Sequence, residues 1–142
     1  MNCPLCNEPG GEILWQDDFC RLVLVNDTPD YPGFCRVILN RHLKEMTDLV
    51  PAERSRLMMM VCKTEQIVRD VMQPDKINLA SLGNVVPHLH WHVIPRFETD
   101  PHFPNPVWGA RLRDTPHGAP TDLAATLTAA FNLQPARAPG TE

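Results

Sequence analysis

Residues 85–96 read VVPHLHWHVIPR, and three of the chain's six histidines fall within five of these residues. Pro87 and Pro95 bracket the stretch. The residue before a proline is pushed toward extended backbone, which assigns Val86 and Ile94 to β structure. Side chains alternate across a strand, so the pattern predicts one strand with His88, His90 and His92 on one face, about 7 Å apart, and Leu89, Trp91 and Val93 turned to a core. Three alternate histidines opposite an apolar face are a poor fit to a merely solvated surface. The residues alone leave two chemistries open. One is a metal centre of three imidazoles, as in catalytic zinc sites, in which the far ligand must reach back. The other is nucleophilic and acid–base chemistry by imidazole near neutral pH.

Working outward, KINLASL (76–82) reads as a strand that reaches the triad through a tight Gly83-Asn84 connection. Before it lies a long helix: Thr47 or Asp48 can start it, Pro51 suits its first turn, and Gln73-Pro74 stops it. Leu57, Met60, Val61, Thr64, Ile67, Val68 and Val71 follow a 3.6 period and predict one core-facing stripe. Met58 to Met60 suit gap-filling at its edge. FCRLVLVN (19–26) and FCRVIL (34–39) read as strands joined through DTPDYPG (27–33), an antiparallel hairpin. After Arg96, FETDPHFPNPVWG predicts an extended arm. Thr121-Asp122 caps a short helix, DLAATLTAAFNL, and QPARAPGTE is expected to fray. The order is that of an α+β fold, an antiparallel sheet with one helix on a face. Residues 1–110 form the expected domain, and 111–142 a C-terminal extension.

With 142 residues, 43% hydrophobic and 21% charged, the chain suits one soluble domain. A net charge of −4 excludes a protein that lives on nucleic-acid backbones, though not a small anionic ligand. No apolar run of membrane-spanning length occurs, so no membrane partner is expected. MNCPLCNEPGG lacks the basic and apolar regions of a signal peptide. Together with an odd number of cysteines, this points to the reducing cytoplasm. Cys20, Cys35 and Cys62 read as small core residues, and His102 and His117 as exposed loop residues.

HLHWHVI resembles the motif of the histidine-triad (HIT) family, His-apolar-His-apolar-His-apolar-apolar, at all seven positions. GNVVPHLHWHVIPR and VLVNDTPDYPGFCRVILNRH also resemble the family's segments, with the long helix between them. The resemblance covers roughly residues 1–110. It implies a five-stranded antiparallel sheet with one long helix, continued across a homodimer, and an enzyme of nucleotidyl transfer or hydrolysis. His90 would attack the α-phosphorus of a nucleotide and become nucleotidylated, with its other ring nitrogen donating to a backbone carbonyl. His92 would donate to a phosphate oxygen or the departing group, and His88 would complete the triad. Asn84 would bind a non-bridging oxygen, Asn26 ribose or phosphate, and Asn78 is a further candidate substrate contact. The implied substrate is a nucleoside phosphoramidate or a dinucleoside polyphosphate such as diadenosine tetraphosphate; the Asn26 and VIPR matches favour the latter. A nucleotide-binding sensor with weak activity is the alternative. One departure is Phe34, where the family often has the histidine of a Pro-Gly-His.

Cys3 and Cys6 have C-x-x-C spacing, which fits half a zinc site, a redox pair or two free thiols. The redox reading lacks its βαβ context. In zinc-bearing members of the resembled family, and in the related galactose-1-phosphate uridylyltransferases, such a pair joins a histidine after the second strand and the first triad histidine. The matching positions are Cys3, Cys6, His42 and His88, a set suited to a closed structural zinc site. Zinc there would fix His88 without the histidine missing at Phe34, and the chemical step itself needs no cofactor.

Overall fold

The computed structural model describes residues 2–115 and 118–134. A single helical turn, α1 (Pro4–Asn7), precedes strands β1 (Glu12–Gln16), β2 (Cys20–Leu24) and β3 (Cys35–Leu39). A 3-10 turn (Met46–Asp48), the long helix α2 (Pro51–Met72), strands β4 (Lys76–Ala80) and β5 (His90–Arg96), and helix α3 (Leu123–Leu133) follow. The five strands form one antiparallel sheet in the order β1-β2-β3-β5-β4, the expected α+β architecture.

Strand alternation sorts the residues. Leu22 faces Val37, Val37 faces Trp91, and Cys35 faces Val93 across the central strands. These side chains join Leu57, Val61, Ile67 and Val68 of α2 in the main core. Burying each such aliphatic side chain contributes about 1.5–3 kcal/mol. Leu123, Leu127 and Phe131 of α3 enter the same core, with the Phe131 ring 5.1 Å from that of Trp15. The segment expected as an extension thus supplies a second helix to the covered face. The opposite face carries Arg21, Val23, Arg36, Ile38, His90 and His92, which alternate with core residues. At the end of the β2–β3 connection Gly33 has φ +85, and a Cβ there would lie 2.8 Å from Cγ of Met72. Glycine meets both constraints.

Several expectations are corrected. α2 begins at Pro51, not at Thr47 or Asp48. Asp48 instead closes its own 3-10 turn by accepting the Glu45 N–H at 3.0 Å, and the chain passes Leu49 and Val50 in extended form. Pro51 then opens the helix where its missing N–H costs nothing. β1 was not anticipated: EILWQ is a short edge strand, turned into β2 by Asp17, whose carboxylate accepts the N–H of Phe19 and of Cys20. Cys62 is exposed on α2. The proline-rich arm is not extended. The Asp100 carboxylate gathers the N–H groups of Phe97, His102 and Phe103 and folds the arm back on the sheet. His102 is accordingly half-buried, its Nδ1 bonded to the Tyr31 hydroxyl. His117 and residues 135–142 of the expected frayed tail lie outside the described residues.

Candidate active site and metal-binding cluster

The largest correction concerns the triad. β5 starts at His90, so His90 and His92 share its face while His88 precedes the strand. Two backbone bonds, Leu89 N–H to Leu43 O and Leu39 N–H to Leu89 O, hold the chain just before the strand begins. The fully buried His88 ring has its Nε2 on the Leu39 carbonyl at 2.6 Å and its Nδ1 toward the N-terminal cysteines. What His88 offers His90 is its main-chain carbonyl, which accepts from Nδ1 of His90. A carbonyl can only accept, so Nδ1 of His90 carries the ring proton and Nε2 keeps its lone pair.

His90 is 8% exposed and lines a cleft of about 450 Å³ with Asn26, Asp27, Arg36, Gly10 and Val86. Burial lowers its pKa; the bond to His88 opposes the shift, and the Arg36 charge adds to it. Burial, then His90 and Arg36, take His92 down to about 3. Both imidazoles are therefore neutral at pH 7. The His92 ring lies 4.9 Å from His90, 5.6 Å from Phe34 and 5.0 Å from Trp108, in edge-on contacts. Its Nδ1 is buried with no hydrogen-bond partner among the described residues. Phe34 thus supplies an apolar ring where a second histidine would supply a polar atom.

Of the three asparagines, Asn26 is in the cleft with His90. Asn84 is exposed in the loop leading to the triad. Asn78 is paired beside Ile94 on β4, and its amide oxygen accepts from Arg96 at 2.7 Å. Arg96 also makes a bidentate pair with Asp100, at 2.8 and 3.0 Å, and donates to the Asn105 carbonyl at 2.7 Å. The Pro-Arg after the triad is thus a buried clamp for the arm.

Sequence reasoning missed two arginines. In CRLVL and CRVIL a lone cation interrupts an apolar strand, and the period of two sets Arg21 and Arg36 on the triad face. Arg36 brings positive charge to the cleft. Arg21 donates to the carbonyls of Leu5, Glu8 and Pro9 and to Asn40, docking the N-terminal segment on the sheet.

That docking assembles Cys3, Cys6, His42 and His88, whose donor atoms all lie within 4.8 Å of one another. Cys3 Sγ to His88 Nδ1 is 3.4 Å, Cys6 Sγ to His42 Nδ1 3.4 Å, Cys6 Sγ to His88 Nδ1 3.5 Å, and His42 Nδ1 to His88 Nδ1 3.2 Å. A tetrahedral ion with usual bond lengths separates S from N by about 3.6 Å and N from N by about 3.3 Å. These residues fit such an ion. The Leu39 carbonyl on the far nitrogen of His88 is the outer partner a ligating imidazole requires. His90 and His92 are not in this group, and both ring nitrogens of His88 are engaged elsewhere, by the Leu39 carbonyl and the cysteine sulfurs, so the three imidazoles do not form one metal centre.

Residues 8–99 match the HIT domain family model, and the chain belongs to that family. AP-4-A phosphorylase of Mycobacterium tuberculosis is 30% identical over 103 residues, which span 65% of this chain and 53% of that protein. The asymmetrical bis(5'-nucleosyl)-tetraphosphatase of Schizosaccharomyces pombe is 35% identical over 81 residues, 54% of this chain and 44% of that protein. The chain thus spans about half the length of these curated relatives. A histidine triad protein from Bradyrhizobium japonicum superposes with TM-score 0.71 at 25% identity, over 87% of this chain and 90% of that one. One from Sinorhizobium meliloti gives 0.70 at 29%, over 87% and 89%. No helix among the described residues is long and apolar enough to cross a membrane.

Proposed function

We infer that the chain is a nucleotidyl hydrolase or transferase that cleaves dinucleoside polyphosphates through a covalent intermediate on His90. The observation that carries this reading is the His90 tautomer: Nδ1 is tied to the His88 carbonyl, so a neutral Nε2 is available in a cleft that also holds Arg36 and Asn26. The Nε2 lone pair attacks the α-phosphorus, and the bond to the bridging oxygen breaks, its electron pair leaving with the polyphosphate. An acceptor oxygen then attacks the phosphoramidate, a proton is lost from the acceptor, and the P–N electron pair returns to Nε2. Arg36 and Asn26 bind phosphate and ribose at the first nucleotide, Asn84 reaches a non-bridging oxygen from its loop, and Asn78 acts through Arg96. His92, neutral in the free protein, serves as a hydrogen-bond donor to the departing chain. This suits a polyphosphate, which leaves as a stable anion, better than an amine, which must be protonated.

A structural zinc ion held by Cys3, Cys6, His42 and His88 would tie the N-terminus to the sheet and orient the His88 carbonyl. Homodimerisation and a cytoplasmic location remain part of this reading, the free thiols suiting a reducing compartment.

Purified protein should be incubated with α-labelled diadenosine tetraphosphate and, in parallel, adenosine phosphoramidate. With water as acceptor the first gives AMP and ATP; with phosphate it gives ADP and ATP. A rapid quench should trap label in an acid-labile, base-stable linkage. His90→Ala should lose at least about 1,000-fold in turnover and all adduct, while circular dichroism is unchanged. Near-parental kcat in that variant would overturn the mechanism. Tight nucleotide binding without turnover in the parent would favour a sensor.

A further inference from the structure

A second cavity, of about 300 Å³, opens between the β2–β3 connection and the folded-back arm. It shares Asp27 and Arg36 with the cleft that contains His90, so the two cavities adjoin. Its apolar wall is Tyr31, Phe34, Val107 and Trp108. His92 stands at the junction, its ring in contact with His90 on one side and Trp108 on the other.

We propose that this second cavity is the subsite for the nucleoside of the departing nucleotide, with its base stacked on Trp108 and its polyphosphate crossing Arg36. This deepens the nucleotidyl-transfer reading at His90 and rests on it. Two observations agree. First, Trp108 is 51% exposed, yet it sits on an arm held by the buried Arg96–Asp100 pair. An exposed aromatic face on a fixed support is prepared to stack on a base with little ordering cost. Second, charge is graded along the path. The Arg36 guanidinium lies with Asp27 where the cavities meet and attracts phosphate, whereas the second cavity alone is lined by Asp30, whose carboxylate is paired with Arg111 at 3.0 Å and leaves no cation free for phosphate there. Carboxylates accept from ribose hydroxyls, so the sugar and base, not the phosphates, suit that end. The amine leaving group of a phosphoramidate would reach none of these groups. The substrate class favoured is therefore one with a nucleoside at each end of a polyphosphate.

The test compares kcat/KM for diadenosine tetraphosphate with that for adenosine tetraphosphate, which has the same phosphate chain and lacks the second nucleoside. The parent should prefer the dinucleoside by roughly tenfold or more, the usual effect of one base–aromatic stack. Trp108→Ala should bring the ratio close to one, and Trp108→Phe should restore most of it. The ratio is the readout because Trp108 also touches His92, and a general disturbance of His92 lowers both rates alike. If the parent turns over both substrates equally, or if Trp108→Ala leaves the ratio at its parental value, the subsite is refuted while nucleotidyl transfer stands. If the parent turns over neither, both readings fall.

Discussion

Replacing Asp100 with asparagine measures how strongly one carboxylate holds the arm beside the site. Asp100 and Arg96 are 1% and 2% exposed, paired through two hydrogen bonds. Removing one partner of a buried ion pair leaves the other charge uncompensated, at a cost of about 3–5 kcal/mol. Asparagine keeps one acceptor oxygen, so the lower end, about 3 kcal/mol, is expected at pH 7. Part of this must depend on pH. Burial pushes the Asp100 carboxyl up, but Arg96 and the N–H groups of His102, Phe103 and Phe97 outweigh it and hold the pKa at about 2, against an ordinary 3.8. That difference corresponds to about 2 kcal/mol. Because the folded-state pKa is depressed, the stabilisation is complete above the unfolded value and is lost as pH falls from about 4 toward 2. Other carboxylates titrate alike in parent and variant and cancel in the difference. Urea denaturation followed by circular dichroism should therefore show a gap of about 3 kcal/mol at pH 7 that shrinks by about 2 kcal/mol across the acid window. A gap below about 1 kcal/mol at pH 7, or one that stays constant down to pH 2, would refute the reasoning.

Changing Cys3 and Cys6 together to serine should reduce bound zinc from near one per chain to a trace and lower Tm by about 5 °C or more. Activity should fall only in part, since His90 is not a ligand; metal analysis, a thermal melt and an assay check this, and unchanged Tm would remove the structural role. The acid limb of the pH profile of kcat/KM should have its midpoint below 6.5, because burial lowers the His90 pKa and the proposed nucleophile is the neutral ring. A limb with its midpoint above 6.5 would contradict that. Gly33→Ala adds strain at positive φ and a close contact with Met72, so denaturant unfolding should show a loss of more than about 1 kcal/mol. A neutral result would mean that the turn has another accessible conformation.

The parts legible in the sequence were those set by local rules. The β2–β3 hairpin, the stripe of α2 and the shared strand face of His90 and His92 follow from alternation and the 3.6 period. The cluster of Cys3, Cys6, His42 and His88 was legible only through resemblance, because nothing local connects Cys3 with His42 or His88. What escaped was decided by long-range contacts. β1 exists because Asp17 turns EILWQ back onto β2, a signal present in the residues but weak in so short a segment. The arm looked extended because its prolines are local, whereas the folding of the arm depends on Asp100 meeting Arg96. Arg21 and Arg36 could have been found by applying to β2 and β3 the alternation used for the triad. His88 was misplaced because a period of two was carried past the first residue of β5.

Position 88 joins two devices that belong to different parts of the residue. Its ring is a side-chain property, removable by a single codon change, and it completes the cysteine and histidine cluster. Its carbonyl belongs to the main chain and survives every substitution that preserves the backbone path, so the acceptor that sets the His90 tautomer is not encoded by the histidine at all. A lineage could therefore lose the imidazole at position 88 and keep the His90 tautomer, provided other packing held the loop. The cysteine and histidine cluster and the tautomer of His90 meet at this residue without being inherited together.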